Sequence, residues 1–269
     1  MSPLAELRAG LRAIESVVVA FSGGADSAFL AWVATDTLGA AQVRCVTAVS
    51  PSLARVERDH CAELAAAWEL NWQEVETDEM DRAAYQVNDA MRCHHCKDAL
   101  MDALVAVAED ATIVLGVNTD DLGDHRPGQH AAAARGARFP LVEAGFSKAD
   151  VRAWSRRLGL VTWDKPAAPC LASRLPYGTS VTLGRLAQVE RAEATLRALG
   201  YADVRVRHYG ARARVEIAAA ELGRATAAQT EIVAALRRCG YRDVVIDPAG
   251  LRSGNLNDAL TTTRSPAAP

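Results

Sequence analysis

Two hydrophobic periods divide this chain. Val17, Val18, Val19 and Ala20 form a short continuous apolar run, which predicts a strand covered on both faces. The polar, glycine-containing stretch Ser22 to Ser27 interrupts it, and Phe29, Leu30, Trp32 and Val33 then predict a helix that Gly39 stops. Further on, residues 43–49 predict a second strand, 51–68 a helix and 70–75 a third strand. Residues 99–107 predict a helix with Leu100, Leu104 and Val107 on one face, and 112–116 a fourth strand. Ser147 and Asp150 have the spacing of a capping box that opens a helix over 151–158. Residues 1–16 read as an amphipathic helix of mixed charge rather than a signal peptide. Strands alternating with helices predict an α/β fold with a doubly wound parallel sheet, whose ligands bind beyond the carboxyl ends of the strands.

The pattern changes after residue 160. Residues 160–182 carry Pro166, Pro169 and Pro176 and little periodicity, as a long functional loop between domains would. Leu186, Val189, Leu196 and Leu199 then predict a helix over 184–199. Residues 204–209 and 212–217 alternate around Gly210 and predict a β-hairpin, followed by a helix over 226–238 and a short strand over 243–246. The expected organisation is a first domain over 1–165, a cysteine loop and linker over 166–183, a small α+β domain over 184–258 and a disordered tail over 259–269. In the hairpin, Arg205 and Arg207 alternate with Val204, Val206 and His208, while Arg212 and Arg214 alternate with Ala213, Val215 and Ile217. With the apolar set facing a core, the four arginines would share an exposed face, either as an anion clamp or as a solvated surface with Glu216 as a partner.

Composition narrows the function classes. Half of the 269 residues are apolar, enough for a full core, and no run of eighteen apolar residues reads as a membrane span. A net charge of -3 carries no nucleic-acid signature. Six irregularly spaced cysteines fit a reducing cytoplasm better than a disulfide framework. Cys45, Cys61 and Cys239 fall in predicted strands or helices, as buried thiols do.

The segment Ser22-Gly23-Gly24-Ala25-Asp26-Ser27 carries the strongest chemical signal. Glycines let a backbone approach a ligand closely, and the N–H groups opening a helix suit a phosphate. Ser22 and Ser27 add hydroxyls. Asp26 would repel phosphates unless a cation lay between, which points to Mg²⁺. Neither Gly-Lys-Ser/Thr nor G-x-G-x-x-G occurs, so the Walker loop and the dinucleotide fingerprint are absent. The loop resembles that of the ATP pyrophosphatases (the PP-loop ATPases of the adenine nucleotide alpha-hydrolase fold), which split ATP between its α and β phosphates to adenylate an oxygen.

Cys170 is the second signal. It lies in a proline-rich loop between Lys165 and Arg174, and nearby cations favour a thiolate, which would attack an adenylated carboxyl. Four stretches occur in order: the Ser-Gly-Gly loop; Met91-Arg92-Cys93-His94-His95-Cys96-Lys97; Gly116 through Gly128; and Trp163 through Gly178. Together they resemble the ATP-dependent sacrificial sulfur transferases called LarE, which act in making the nickel-pincer nucleotide cofactor of lactate racemase; the similarity runs over residues 5–258. The resemblance implies ATP and Mg²⁺ as cofactors and a pyridinium biscarboxylate mononucleotide as substrate. It implies Cys170 as the sulfur source, left as dehydroalanine. It implies Ser22, Gly23, Gly24, Asp26, Ser27, Arg92, Lys97, Asn118, Arg126, Lys165 and Arg174 around the nucleotides, with Asp26 and Asp121 at the metal. Arg205 and Arg207 would meet the substrate phosphate, ahead of Arg212 and Arg214. Asp120, Asp121 and Asp124 are open between metal binding and helix capping. Cys93 and Cys96 are open between a structural role, a zinc half-site, and a four-iron cluster completed by Cys170, as in some family members. The family also implies a homo-oligomer, with hexamers as the precedent. Competing readings are a tRNA-thiolating PP-loop enzyme, an ammonia-dependent ligase like NAD or GMP synthetase, and a nucleotide-binding regulator without turnover.

Overall fold

The computed structural model describes residues 2–123 and 127–252; Asp124, His125, Arg126 and everything from 253 onward, the expected tail included, lie outside the described residues. The described residues fall into two compact units, one within Met1–Tyr85 and Ala90–Ala168, the other within Gln86–Asp89 and Pro169–Pro269.

In the first unit α1 (Pro3–Ile14) starts on Ser2, whose hydroxyl accepts the Ala5 N–H at 3.3 Å. There follow β1 (Val17–Ala20), α2 (Ala25–Leu38), β2 (Val43–Val49), α3 (Arg55–Ala67), β3 (Trp72–Glu76) and the single-turn α4 (Ala83–Gln86). The run continues with α5 (Arg92–Ala108), β4 (Thr112–Leu115), α6 (Pro127–Ala134), α7 (Pro140–Glu143) and α8 (Lys148–Arg157). The four strands pair in parallel in the order β3-β2-β1-β4, with Val17 beside both Val43 and Thr112. Parallel strands need crossovers, and the helices that supply them cover the sheet. Val17 and Val19 bury against Leu7, Leu11, Phe29, Val33 and Phe146, whereas Val18 buries against Val46, Met101, Leu104 and Leu115. Alternate residues of one strand thus reach two cores, which explains its unbroken apolar sequence. No helix among the described residues is long and apolar enough to cross a membrane.

The second unit holds α9 (Leu183–Ala198), β5 (Val204–Tyr209), β6 (Arg212–Ile217), α10 (Leu222–Ala227), α11 (Gln229–Arg238) and β7 (Asp243–Ile246). β5 and β6 form the antiparallel hairpin, and β7 adds in parallel beside β6. Val206, Val215, Ile217, Leu196, Ile232, Leu236 and Tyr241 make its core. The molecule therefore combines a doubly wound α/β unit with a smaller α+β unit.

Several local expectations shift. The helix expected from residue 51 begins at Arg55, because Leu53 closes a turn on the Ser50 carbonyl. The helix expected over 99–107 begins at Arg92, so the Cys93-x-x-Cys96 pair occupies its first turns. The helix expected over 226–238 divides at Ala228. Cys45 and Cys61 are buried as expected, but Cys239 is only half-buried at the end of α11.

A pH dependence follows from the smaller core. His208 is buried with Nδ1 3.1 Å from the Tyr241 hydroxyl. Burial, then the nearby Arg185 charge, holds the imidazole below its ordinary range. The folded state therefore binds fewer protons than the unfolded one. The contribution is complete above the ordinary value of about 6.5 and is lost as pH falls through the folded value. Thermal melts of the wild type should show stability declining below about pH 6.5, and His208→Asn should flatten that slope.

Candidate active site

The first unit's polar residues converge at the carboxyl end of β1. Gly23 adopts φ +64°, and a Cβ there would lie 2.9 Å from Cys61 Sγ. Gly116, at the end of β4, is tighter: a Cβ would meet Ser27 N at 2.7 Å and Asp26 C at 2.9 Å. These neighbours are backbone atoms of the first turn of α2 and cannot rotate aside. Gly116→Ala should accordingly cost about 1–3 kcal/mol of unfolding free energy, read by denaturant titration.

Ser22 and Ser27 close the loop on itself. Ser27 Oγ donates to the Gly24 carbonyl at 3.2 Å, accepts the Ser22 N–H at 3.2 Å and lies 3.0 Å from Ser22 Oγ. Behind the loop, Trp72 Nε1 donates to Thr47 Oγ1, which donates to the Phe21 carbonyl at 2.7 Å. The Ala28 N–H is the first in α2 to reach a carbonyl, that of Gly24 at 2.9 Å. The N–H groups ahead of it form the positive end of the helix, where an anion fits.

Asn118 ties the second strand end to this loop. Its Nδ2 donates to Asp26 Oδ1 at 3.2 Å, and its Oδ1 accepts the N–H groups of Asp120 and Asp121. Asp26 is held above the usual carboxylate range, mainly by burial and also by the Asp121 charge, with Asn118, Lys148 and Arg152 acting the other way. A buried carboxylate raised by the charge of a second one suits a cation, and an all-oxygen donor set suits Mg²⁺. Asp120 does something else: its Oδ2 accepts the Lys148 N–H at 2.8 Å and so caps α8.

Lys165 reaches back across 142 residues to this loop. Its Nζ donates to the Gly23 carbonyl at 3.0 Å and to Glu57 Oε2 at 2.8 Å. His60 stands beside Gly23 as well, and burial holds its imidazole below the ordinary range. Arg92 is buried at the start of α5 with Nη2 3.9 Å from Cys93 Sγ, Lys97 is half-buried one turn on, and Arg126 lies outside the described residues. Among the described residues, no group of three or more His, Cys, Asp or Glu side chains is placed to hold a metal ion.

The second unit assembles the thiol and the arginines. Cys170 is half-buried at the start of a short 3-10 turn, Leu171–Arg174. Arg174 is 5% exposed and folds back over that turn, donating to the carbonyls of Pro169 and Cys170 and to Ser173 Oγ. Its other face is bidentate to Glu193, at 2.8 and 3.2 Å. Glu193 is fully buried and also accepts the Val206 N–H at 3.0 Å. Losing one member of such a pair costs about 3–5 kcal/mol, because the other charge stays buried alone.

Here the expected exposed arginine face needs correction. Arg205 and Arg207 are 7% and 3% exposed, whereas Arg212 is exposed and Arg214 half-buried. The Cys170 turn lies against this part of the sheet: Arg207 Nη1 donates to the Ser173 carbonyl at 2.8 Å. Arg207 is bidentate to the fully buried Glu216 at 3.0 Å, and Arg214 joins the same carboxylate at 3.1 Å. Burial, then the Arg174 and Arg207 charges, pulls Arg205 below the usual arginine range. The three buried guanidiniums of Arg174, Arg205 and Arg207, against the carboxylates of Glu193 and Glu216, leave a positive excess suited to an anion.

Thr47, Glu57, Lys148, Arg152 and Glu193 escaped the sequence reading. Only Glu193 left a signal there: with Leu186, Val189 and Leu196 it falls on the apolar stripe of α9, where a charge needs a buried partner.

Comparison with known proteins shows the family. Residues 8–106 match the NAD synthase family. An uncharacterised protein of Synechocystis is 42% identical over 266 residues, covering 97% of this chain and 98% of that protein. An uncharacterised protein of Methanocaldococcus jannaschii is 24% identical over 236 residues, covering 87% of this chain and 89% of that protein. The pyridinium-3,5-bisthiocarboxylic acid mononucleotide synthase of Lactiplantibacillus plantarum is 37% identical over 260 residues, covering 96% of this chain and 94% of the synthase. With likeness of that extent, running through both units and across the Ser-Gly-Gly loop and the Cys170 turn, the chain belongs to the LarE-type family of that synthase.

Proposed function

We propose that this chain is an ATP-dependent sulfur transferase that converts a carboxylate of a pyridinium biscarboxylate mononucleotide into a thiocarboxylate, drawing the sulfur from Cys170. The observation that carries the reading is the Cys170 turn, pinned by Arg174 and set against the buried Arg205 and Arg207, in a chain that also holds a pyrophosphate-type loop. The synthase of Lactiplantibacillus plantarum supplies the product class by its name.

In this reading the N–H groups of Gly23, Gly24 and the start of α2 receive the ATP phosphates, with the Ser22 and Ser27 hydroxyls beside them. Lys165, already at the loop, follows the pyrophosphate as it leaves; Asn118, Arg92, Lys97 and Arg126 serve the nucleotide. Asp26 and Asp121 would hold Mg²⁺, which would supply positive charge to screen the phosphates; the substrate carboxylate attacks the α-phosphorus and pyrophosphate leaves. Arg205, Arg207 and Arg174 receive the substrate's phosphate and carboxylates. The Cys170 sulfur displaces AMP to form a thioester. Loss of the Cα proton of Cys170 with cleavage of its Cβ–S bond then releases the thiocarboxylate and leaves dehydroalanine. Each chain acts once. We also place the protein in the cytoplasm as a homo-oligomer, with the family's hexamers as precedent.

The test is incubation with ATP, Mg²⁺ and the biscarboxylated mononucleotide, followed by intact-protein mass spectrometry and pyrophosphate assay. Sulfur donation predicts a loss of about 34 Da, one H₂S, at Cys170 together with pyrophosphate release. Product without mass loss would replace sacrifice by an external sulfur source, as a four-iron cluster on Cys93, Cys96 and Cys170 would require. Pyrophosphate without sulfur transfer would favour an amide ligase.

A further inference from the structure

Residues Gln86–Asp89 belong to the cysteine-bearing unit, although the chain up to Tyr85 and from Ala90 belongs to the other. This four-residue excursion makes one dense set of contacts. Asn88 is fully buried. Its Nδ2 donates to the carbonyls of Thr179 at 2.7 Å and Pro176 at 2.8 Å, with the Leu175 carbonyl at 3.4 Å. Its own carbonyl accepts the Gly178 N–H at 3.0 Å, and the Gln86 carbonyl accepts the Val181 N–H at 2.9 Å. A carboxamide nitrogen has two hydrogens, and here both are committed to the backbone of one loop. Asn88 adopts φ +58° to present them, a conformation that asparagine tolerates better than other side chains.

The loop so held, residues 175–181, continues directly from the Leu171–Arg174 turn, and its first residue Leu175 donates its N–H to the Ala172 carbonyl at 3.1 Å. Arg174 pins that turn at its start and Asn88 pins the chain that leaves it. An aspartate in place of Asn88 would face the same carbonyls without the two N–H donors, and a glycine would keep the backbone but lose them.

We infer that Asn88 is a positioning residue, whose carboxamide fixes the loop that leaves the turn beside Cys170, the proposed nucleophile. Its consequence for sulfur transfer rests on the function proposed above; its consequence for the exposure of Cys170 does not.

Asn88→Gly keeps the left-handed backbone, and Asn88→Asp keeps the side-chain size. Three quantities are read on the full chain: substrate-dependent ATP–pyrophosphate exchange, the rate of mass loss at Cys170, and alkylation of Cys170 by iodoacetamide followed by peptide mapping. In Asn88→Gly, exchange should stay within about twofold of wild type while mass loss slows about 10²-fold, the scale of a misplaced reacting group. Alkylation of Cys170 should accelerate about tenfold as the loop opens locally. If Asn88→Asp also folds, it should follow the glycine variant. Wild-type alkylation and mass-loss rates in Asn88→Gly would overturn the assignment. So would a parallel fall of exchange and mass loss with a lower melting temperature, the mark of a merely structural residue. Faster alkylation in a protein whose wild type shows no mass loss would uphold the clamp and overturn the sulfur-transfer reading.

Discussion

Replacing Cys170 by alanine should abolish thiocarboxylate formation while pyrophosphate release from ATP and substrate continues. The structure separates the two effects. Arg174 and Ser173 hold the backbone carbonyl of Cys170, at 3.2 and 3.0 Å, and its side chain makes no capping hydrogen bond in the turn. Removing the sulfur should therefore leave the turn in place and change stability by no more than about 1 kcal/mol, within the ordinary range for single substitutions. In the proposed mechanism adenylation uses the loop at Ser22 to Ser27, so it should remain within a few-fold of wild type. An ammonia-dependent ligase would not notice the change, so full product formation by Cys170→Ala would sink sulfur donation. A regulator without turnover would release no pyrophosphate in either protein.

Asp26→Asn has the second large expected effect, and it acts in opposite directions on activity and stability. Burial and Asp121 raise the Asp26 carboxyl above its ordinary range. The ionised form is therefore disfavoured in the folded state, a cost present above the folded value and relieved as pH falls through it. The asparagine variant should melt higher than wild type at neutral pH, with the advantage vanishing in acid. Its amide oxygen still accepts from Asn118, so the loop keeps its tie. Pyrophosphate release should nevertheless fall on the order of 10²–10³-fold, because a preorganised charge at the phosphates is lost. A calorimetric melt and a pyrophosphate assay on the same preparation decide the matter. A variant as active as wild type would remove Asp26 from the metal and phosphate site, and one that melts lower would contradict the burial argument.

The parts read directly from the chain are those set by local order. Val17 to Ser27 specifies strand, glycine turn and helix from consecutive residues, because burial on both faces, a positive φ and a helix start each select residue types on the spot. The hairpin at Gly210 and the capping box at Ser147 are equally local. The resemblance of four ordered motifs also singled out Cys170 and Arg174.

Tertiary structure alone decided which faces are covered and which distant charges meet. Period-two alternation put Arg205 and Arg207 on one side of a strand, but could not reveal that the Cys170 turn covers it and makes them buried. Nothing near Glu57 in the chain predicts Lys165 as its partner, since the two meet only after the strands and helices between them have packed. Asp120 and Asp121 are neighbours of the same type, yet one accepts the Lys148 N–H that opens a helix while the charge of the other raises the Asp26 carboxyl, a division made by the path of the backbone. The chain's local pattern determines elements and the chemistry available on them. Which side chains lose water, and which charges then find each other, depends on segments far apart in sequence, and only the folded packing brings those together.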